Sequence, residues 1–317
     1  MSLLEICERG IKKAINFGSD ETEIYVESLK NIEVVIEKND IQFGKSQIET
    51  AIGIRAFKNK GLGFASVSDF MSLEDGIKRA IELASASPPD KYNKLPTPVK
   101  LKEIPNLYDH QSKEFSVQQA LEYAISMLNN AKNYDHRISV ESGKFNAQIS
   151  TRAIMNSNGI VGEETSSFFT YQIMGMAIDD NGAVSSLEYE FDGVRFISDI
   201  DTTKCALEFA RKAINSLGAR KSNNFKGKVL FSPTAVLELI TLPIIYSINA
   251  NNVQKGTSRW RDKINTPIAS PLLTIEDNGI LIGGLGSSSF DREGLPHSPI
   301  TIIENGVLLS YLYNTYT

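Results

Sequence analysis

Apolar residues recur at helical spacing in four segments of the N-terminal two-thirds of the chain. The first segment covers about 3–17. The other three helices are predicted to begin after Ser72, Ser116 and Asp201, because each of these side chains can cap a helix N-terminus. Ser72 is followed three residues later by Asp75, a pattern that resembles a capping box. The pattern therefore predicts four helices, each with one face on a core.

Between these helices, apolar and charged residues alternate, as they do in antiparallel strands with one solvated face. Two short strands are predicted at 21–28 and 31–38, a hairpin at 48–69, and further strands over about 138–192. The order helix, strands, helix occurs twice, which predicts an α+β fold with two similar halves that could share one continuous sheet. The alternative, that any α+β chain shows such an alternation, stays open.

The composition changes at about residue 221. A short strand is predicted there, followed by a helix with Ser232 as N-cap and Pro233 at its first position. That helix is apolar nearly all round, so we expect it to be buried, and Pro243 should kink or end it. Short strands follow, including one over 280–286. We therefore predict an N-terminal α+β domain (1–220) and a β-rich C-terminal domain (221–317), with a proline-rich connector inside the first domain at about 87–105.

The charge balance narrows the possible partners. The chain of 317 residues has a formal net charge of −5, which argues against a general nucleic-acid binder. It has 2 cysteines, too few for a disulfide framework, and neither a signal-peptide core nor an apolar run long enough to cross a bilayer. We expect a cytoplasmic protein without nucleic-acid or membrane partners.

The residues alone give weak signals for catalysis. The three histidines, His110, His136 and His297, include no pair at the spacing that zinc hydrolases use. A serine among 287–289 could be a nucleophile if His297 served as its base, although no strand–turn–helix serine elbow surrounds it. An independent hydrolase therefore stays open as one hypothesis.

The segment from 256 onward resembles a known family. It contains, in order, "GTS", "SPLLTIED", "GGLGS", "FDREGLP" and "IENGVLLSYL". Together these pieces resemble the C-terminal domain of the TldD/PmbA family, once called modulators of DNA gyrase, and the middle three are similar to its PmbA (TldE) branch. The N-terminal two-thirds resembles the family only in the order of its elements.

The resemblance implies a heteromeric zinc metallopeptidase acting on peptides or unfolded proteins. In the family, a TldD-like subunit carries a His-Glu-x-x-x-His zinc motif on the helix before "GTS", and the PmbA-like partner lacks it. Counting back from "GTS" places the three motif positions on Thr241, Leu242 and Tyr246, and no histidine occurs anywhere in 221–296. The resemblance thus implies a non-catalytic subunit that holds no metal or other cofactor, with zinc only in a catalytic partner.

The same resemblance suggests a peptide groove, in which the glycines would permit close approach of a peptide backbone. Its candidate residues are Gly283, Gly284, Gly286, Ser287, Asp291, Glu293 and Gly294. Two departures from the family pattern are Arg292, where a second acid is usual, and the end of the chain at Thr317, where relatives continue, so we expect a C-terminal domain that is cut short. The open alternatives are a stand-alone peptide-binding or regulatory module and a homodimer of the chain alone.

Overall fold

The computed structural model describes residues 1–317 and is dominated by one antiparallel sheet of six strands. Their spatial order is β3-β2-β1-β4-β5-β6, so two three-stranded meanders join through the pairing of β1 with β4. The predicted α+β class and the single continuous sheet are confirmed. The strands are β1 (Glu21–Glu37), β2 (Asp40–Lys58), β3 (Gly61–Val67), β4 (Ile138–Asn156), β5 (Val161–Ala177) and β6 (Glu188–Val194).

Four helices cover one face of this sheet, and they are α1 (Leu3–Asn16), α2 (Leu73–Ala86), α3 (Val117–Tyr134) and α4 (Thr202–Asn215). Helices α1 and α2 pack on one end of β1 together with β2 and β3, while α3 and α4 pack on its other end with β4 and β5. Each half thus has its own apolar core, because each amphipathic helix buries one stripe of residues against the sheet. The opposite face of the sheet carries polar side chains.

Two of the predicted helix N-caps are present in the structure and one is not. Ser116 and Gln119 form a capping box and Asp201 accepts from the amide of Lys204, as expected. The prediction of a capping box at Ser72 is wrong, because the Ser72 side chain does not cap the helix. Its backbone is already helical, and its hydroxyl donates to Asp69 at 2.9 Å instead of capping the helix.

Strand β1 corrects the prediction of two short strands at 21–28 and 31–38. The ladder is continuous through the supposed gap, where Leu29 pairs with Glu49 on one side and with Ser150 on the other. Partners on both sides satisfy the backbone groups, so the polar residues between the two apolar runs do not end the strand.

The C-terminal region contains short helices and a small sheet. Its strands are β7 (Ile275–Asn278), β8 (Pro299–Glu304) and β9 (Val307–Leu308), and its helices are α5 (Pro233–Val236), α6 (Leu242–Ile248) and α7 (Ala250–Gln254). No strand forms at 226–232 or at 280–286, where loop and turns are found. Short 3₁₀ helices at His110–Glu114 and Ile197–Asp199 complete the elements.

The helical segment 233–248 departs furthest from expectation. As predicted, Ser232 caps it. Pro243 does not end it: a π-helical turn (Leu237–Thr241) accommodates the missing N–H, and α6 continues through the proline to Ile248. The expected burial is wrong, because Leu239 is 59% and Leu242 65% exposed. No helix of the chain has the length and apolar character needed to span a membrane.

Candidate functional site

The "FDREGLP" turn lies on the open face of the large sheet. Phe290 is 2% exposed and packs against Ile154 and Ile160. Next to it, Asp291 Oδ1 accepts from the backbone amides of Glu293 at 2.8 Å and Leu295 at 2.9 Å, which closes the turn. A buried aromatic anchor and a carboxylate-closed turn therefore fix this segment against strands β4 and β5.

Gly294 completes that turn. Its φ of +77° is in the left-handed region, and a Cβ there would lie 2.4 Å from Ile160 Cγ2. Both the backbone conformation and the close approach require glycine. Gly294 thus brings the turn close to the sheet, and it has no side chain to offer a ligand.

A cleft of about 600 Å³ opens between this turn and strands β1, β2 and β3. We call it the acidic cleft, because it contains three carboxylates and two guanidinium groups. Its lining residues are Glu23, Tyr25, Gly53, Arg55, Phe64, Asp291, Arg292, Glu293 and Asn314.

Arg55 joins the two walls of the acidic cleft. Its Nη2 donates to Glu23 Oε2 at 2.8 Å across the β1–β2 ladder, and its Nη1 lies 3.4 Å from Glu293 Oε1 on the turn. Glu293 Oε2 also accepts from the amide and the hydroxyl of Thr315, both at 2.8 Å. The sheet, the turn and the C-terminal tail are therefore tied together by two carboxylates around one arginine.

Burial raises the pKa of Glu23, and the nearby charges of Glu293 and Asp291 raise it further, although Arg55 opposes the shift. Only one oxygen of this carboxylate is used, since no hydrogen bond reaches Oε1. At the rim, Arg292 donates to the Tyr25 hydroxyl at 2.7 Å and lies over its ring. The deep part of the cleft is therefore acidic, and one of its two cations is held at the rim.

The glycine-rich loop, residues 281–289, does not line the acidic cleft. Arg195, which is 3% exposed, donates to the carbonyl oxygens of Gly284, Leu285 and Ser287 at 2.7 to 3.0 Å. These carbonyls are occupied and the loop is not a strand, so a peptide cannot extend a sheet here through them. Gly283 and Gly286 have open space around them, and Gly283 uses its freedom for a φ of +76°.

The three serines do not form a nucleophile–base pair with His297. The hydroxyl of Ser287 donates to Leu281 O at 2.6 Å and that of Ser288 to Phe290 O at 2.7 Å. The amide of Ser289 donates to Glu164 Oε2 at 2.6 Å, and no hydrogen bond joins His297 to any of the three. His297 and Ser289 both line a groove beside the proline-rich connector, which is separate from the acidic cleft.

The helix at the family's zinc position does not present a ligand set. The Thr241 hydroxyl donates to Val236 O at 3.3 Å, and the side chains of Leu242 and Tyr246 are 65% and 51% exposed. Nowhere in the chain do three His, Cys, Asp or Glu side chains converge as a metal site requires. The residues present do not fit a zinc ion.

Three family models match the chain in order and cover most of it. Residues 22–87 match domain 1, 110–217 the central domain and 225–317 the C-terminal domain of the PmbA/TldA metallopeptidases. The chain belongs to the PmbA/TldD family. This confirms the resemblance given by the C-terminal motifs and extends it to the N-terminal sheet.

Curated relatives match the chain nearly end to end. An uncharacterized protein of Methanocaldococcus jannaschii is 28% identical over 310 residues, which cover 96% of this chain and 70% of that protein. The metalloprotease PmbA of Escherichia coli is 24% identical over 321 residues, covering 99% of this chain and 71% of that one. The chain thus spans about seven-tenths of their length.

Solved structures show the same fold. The TldE crystal structure from Thermococcus kodakarensis superposes with a TM-score of 0.88 at 23% identity, over 98% of this chain and 70% of that one. This likeness shows that the chain has the same fold. At 23% identity it does not assign roles to individual residues, which follow from the geometry of this chain.

The sequence had pointed to Asp291 and Glu293 but missed Glu23, Tyr25, Arg55 and Phe64, which form the other wall of the acidic cleft. A signal was present. Glu23 and Tyr25 alternate with buried Ile24 and Val26, which places both on the opposite face of β1. The pairing of Glu23 with Arg55 depends on the register of β1 with β2, which the hairpin turn at 38–39 fixes.

Proposed function

We propose that this protein is a non-catalytic PmbA/TldE-like subunit that works with a TldD-like zinc peptidase subunit on peptides or unfolded proteins in the cytoplasm. The observation that carries the proposal is the helical segment 233–248, which has the family's place for a zinc motif but offers Thr241, Leu242 and Tyr246. A hydroxyl and an alkyl chain cannot replace an imidazole ligand and a general base.

The exposed surface of the same segment supports a partner. Seven apolar side chains between 236 and 246 are each 40% or more exposed, and so are the three at 229–231. Together they expose on the order of 1,000 Å² of apolar surface, above what a monomer commonly shows and near one side of a standard protein interface. We assign this surface, the 229–246 surface, to the TldD-like subunit.

In this scheme the catalytic subunit supplies the zinc, which polarises the peptide carbonyl and activates water. The present chain contributes the wall of the substrate chamber, where the acidic cleft is the part with unpaired polar groups. The glycine-rich loop has a supporting role, since Arg195 holds its carbonyls.

Co-expression with a TldD-like subunit from the same genome tests the proposal. We expect a stable heteromer with zinc bound in proportion to the TldD-like chain, and peptide cleavage only when both chains are present. Leu242→Asp should abolish the heteromer because it places a charge on one of the most exposed apolar side chains of the 229–246 surface. Leu207→Asp is the matched control, since Leu207 is 40% exposed on α4, which packs on the large sheet and lies outside the 229–246 surface.

Stoichiometric zinc in the lone chain, or cleavage by it, would contradict the proposal and favour an independent hydrolase. Failure to form a heteromer while the lone chain still binds peptides would instead favour a stand-alone binding module. A doubled mass of the lone chain that Leu242→Asp reduces to a monomer would assign the 229–246 surface to a homodimer.

A further inference from the structure

We propose that the acidic cleft binds a primary ammonium group of a peptide, with the carboxylates of Glu23 and Asp291 as acceptors and Phe64 against the neighbouring part of the ligand. That the ammonium belongs to a peptide rests on the proposed function. The site itself rests on the geometry of the cleft and stands without a partner subunit.

The charges in the cleft are unbalanced. Glu23, Asp291 and Glu293 line it, and the arginine between the walls is Arg55, which contacts Glu23 and Glu293. The second cation, Arg292, is exposed and held by the Tyr25 hydroxyl and ring at the rim. Three carboxylates therefore surround one internal guanidinium, and a bound cation would neutralise the excess negative charge.

Two carboxylate oxygens in the cleft have no partner. Glu23 is 5% exposed, and its Oε2 is paired with Arg55 while Oε1 accepts no hydrogen bond. Asp291 uses Oδ1 for the turn amides, and its Oδ2 accepts none. An ammonium group has three donors and no acceptor, which matches a cleft lined by two free acceptor oxygens. Such charge-assisted bonds are stronger than bonds between neutral groups.

The surroundings favour an organic cation over a metal ion. The Arg55 guanidinium already lies between Glu23 and Glu293, where a metal shared by these carboxylates would have to sit, and no three ligating side chains converge. Phe64 lines the same cleft with 61% of its surface exposed, and it packs beside Gly53 with no aromatic partner. An aromatic face next to acidic oxygens suits an ammonium group and the carbon atoms attached to it.

Calorimetric titration of the full chain with three synthetic tripeptides tests the inference. The probes are Leu-Gly-Gly-amide with a free N-terminus, the same peptide N-acetylated, and N-acetyl-Gly-Lys-Gly-amide. We expect acetylation of the first peptide to weaken binding about tenfold, the range of a lost charge-assisted hydrogen bond. The N-acetylated lysine peptide carries only a side-chain ammonium group. Its binding shows whether the cleft accepts a lysine side chain or only an N-terminal amine, and either result is consistent with an ammonium site.

Variants of the protein locate the site. Glu23→Gln should weaken binding of the amine about tenfold, and Phe64→Ala about threefold. Because Phe64 is exposed, its replacement leaves the fold intact even if Glu23→Gln does not. Glu49→Gln is the matched control, as Glu49 is an exposed carboxylate farther along the same strand as Arg55 and should leave affinity unchanged.

Equal binding of the free and fully blocked peptides, no binding of either amine, or unchanged affinity in both Glu23→Gln and Phe64→Ala would each overturn the inference. These results are independent of the test of the proposed function, which reads heteromer formation and zinc content. A chain that assembles with its partner but shows no amine-dependent binding would overturn only the ligand assignment.

Discussion

Helix α2 and the helical segment 233–248 are both rich in leucine and isoleucine, yet they lie in opposite environments. In α2 the apolar residues follow one stripe, and Leu73, Ile77 and Ala80 are at most 2% exposed against the sheet. In 233–248 apolar residues occur all round, and most remain exposed. An amphipathic helix needs one apolar surface to bury its stripe, and the sheet provides it. A helix that is apolar all round needs apolar contacts on every side.

Matched leucine substitutions should show the largest effect of this difference. Leu73→Ala should lower the free energy of unfolding by about 2–5 kcal/mol, because it leaves a cavity under α2. Leu242→Ala should change it by less than about 0.5 kcal/mol, because that side chain already contacts water. Urea denaturation followed by circular dichroism compares the two. A similar loss in both variants would contradict the exposure of 233–248.

Local chemistry explains which parts of the fold were predictable. Ser116 with Gln119 and the Asn158-Gly159 turn act within a few residues, so their sequence determines their geometry. The burial of Leu242 was mispredicted because exposure depends on what covers a helix. Its apolar character alone cannot tell whether the cover comes from the same chain.

The acidic cleft shows the same limit at the level of the site. Asp291 and Glu293 belong to a recognisable motif, but the residues they face come from the first three strands; Arg55, which contacts Glu293, lies 238 positions earlier in the chain. Only the register of β1 with β2, and the docking of Phe290 on the sheet, bring the two groups together. Neither is encoded within a short stretch of sequence.

The glycine-rich loop, unlike the exposed segment 233–248, is firmly attached to the large sheet, and Arg195 makes the attachment. It holds the glycine-rich loop to the large sheet through backbone carbonyls, with no carboxylate partner, and burial lowers the pKa of its guanidinium. Arg195→Met should lower the free energy of unfolding by about 2–3 kcal/mol, since buried carbonyls lose their donor. It should also speed amide hydrogen exchange over 281–289.

Arg211→Met is the control for that variant, because Arg211 lies exposed on α4 and pairs only with Glu208. It should leave both the unfolding curve and the exchange of the loop unchanged. Unaltered exchange at 281–289 in Arg195→Met would show that contacts other than the guanidinium hold the loop.

The smallest predicted effect concerns Glu164, which joins the sheet to the same loop and makes the attachment sensitive to pH. Burial would raise the pKa of this carboxyl, but hydrogen bonds from Ser289 and Arg152 outweigh it and lower the pKa below its ordinary value. A carboxyl with a lowered folded-state pKa stabilises the protein above its unfolded-state pKa of about 4.3, and this contribution is lost as pH falls through the folded-state value.

Glu164→Gln should therefore cost about 1–3 kcal/mol at pH 7, and the difference from the parent should shrink steadily below about pH 4. Denaturation at a series of pH values measures it, with Glu208→Gln as an exposed control expected to show little change. A cost that stays constant down to pH 3 would mean that the shape of the side chain, and not its charge, holds the loop on the sheet.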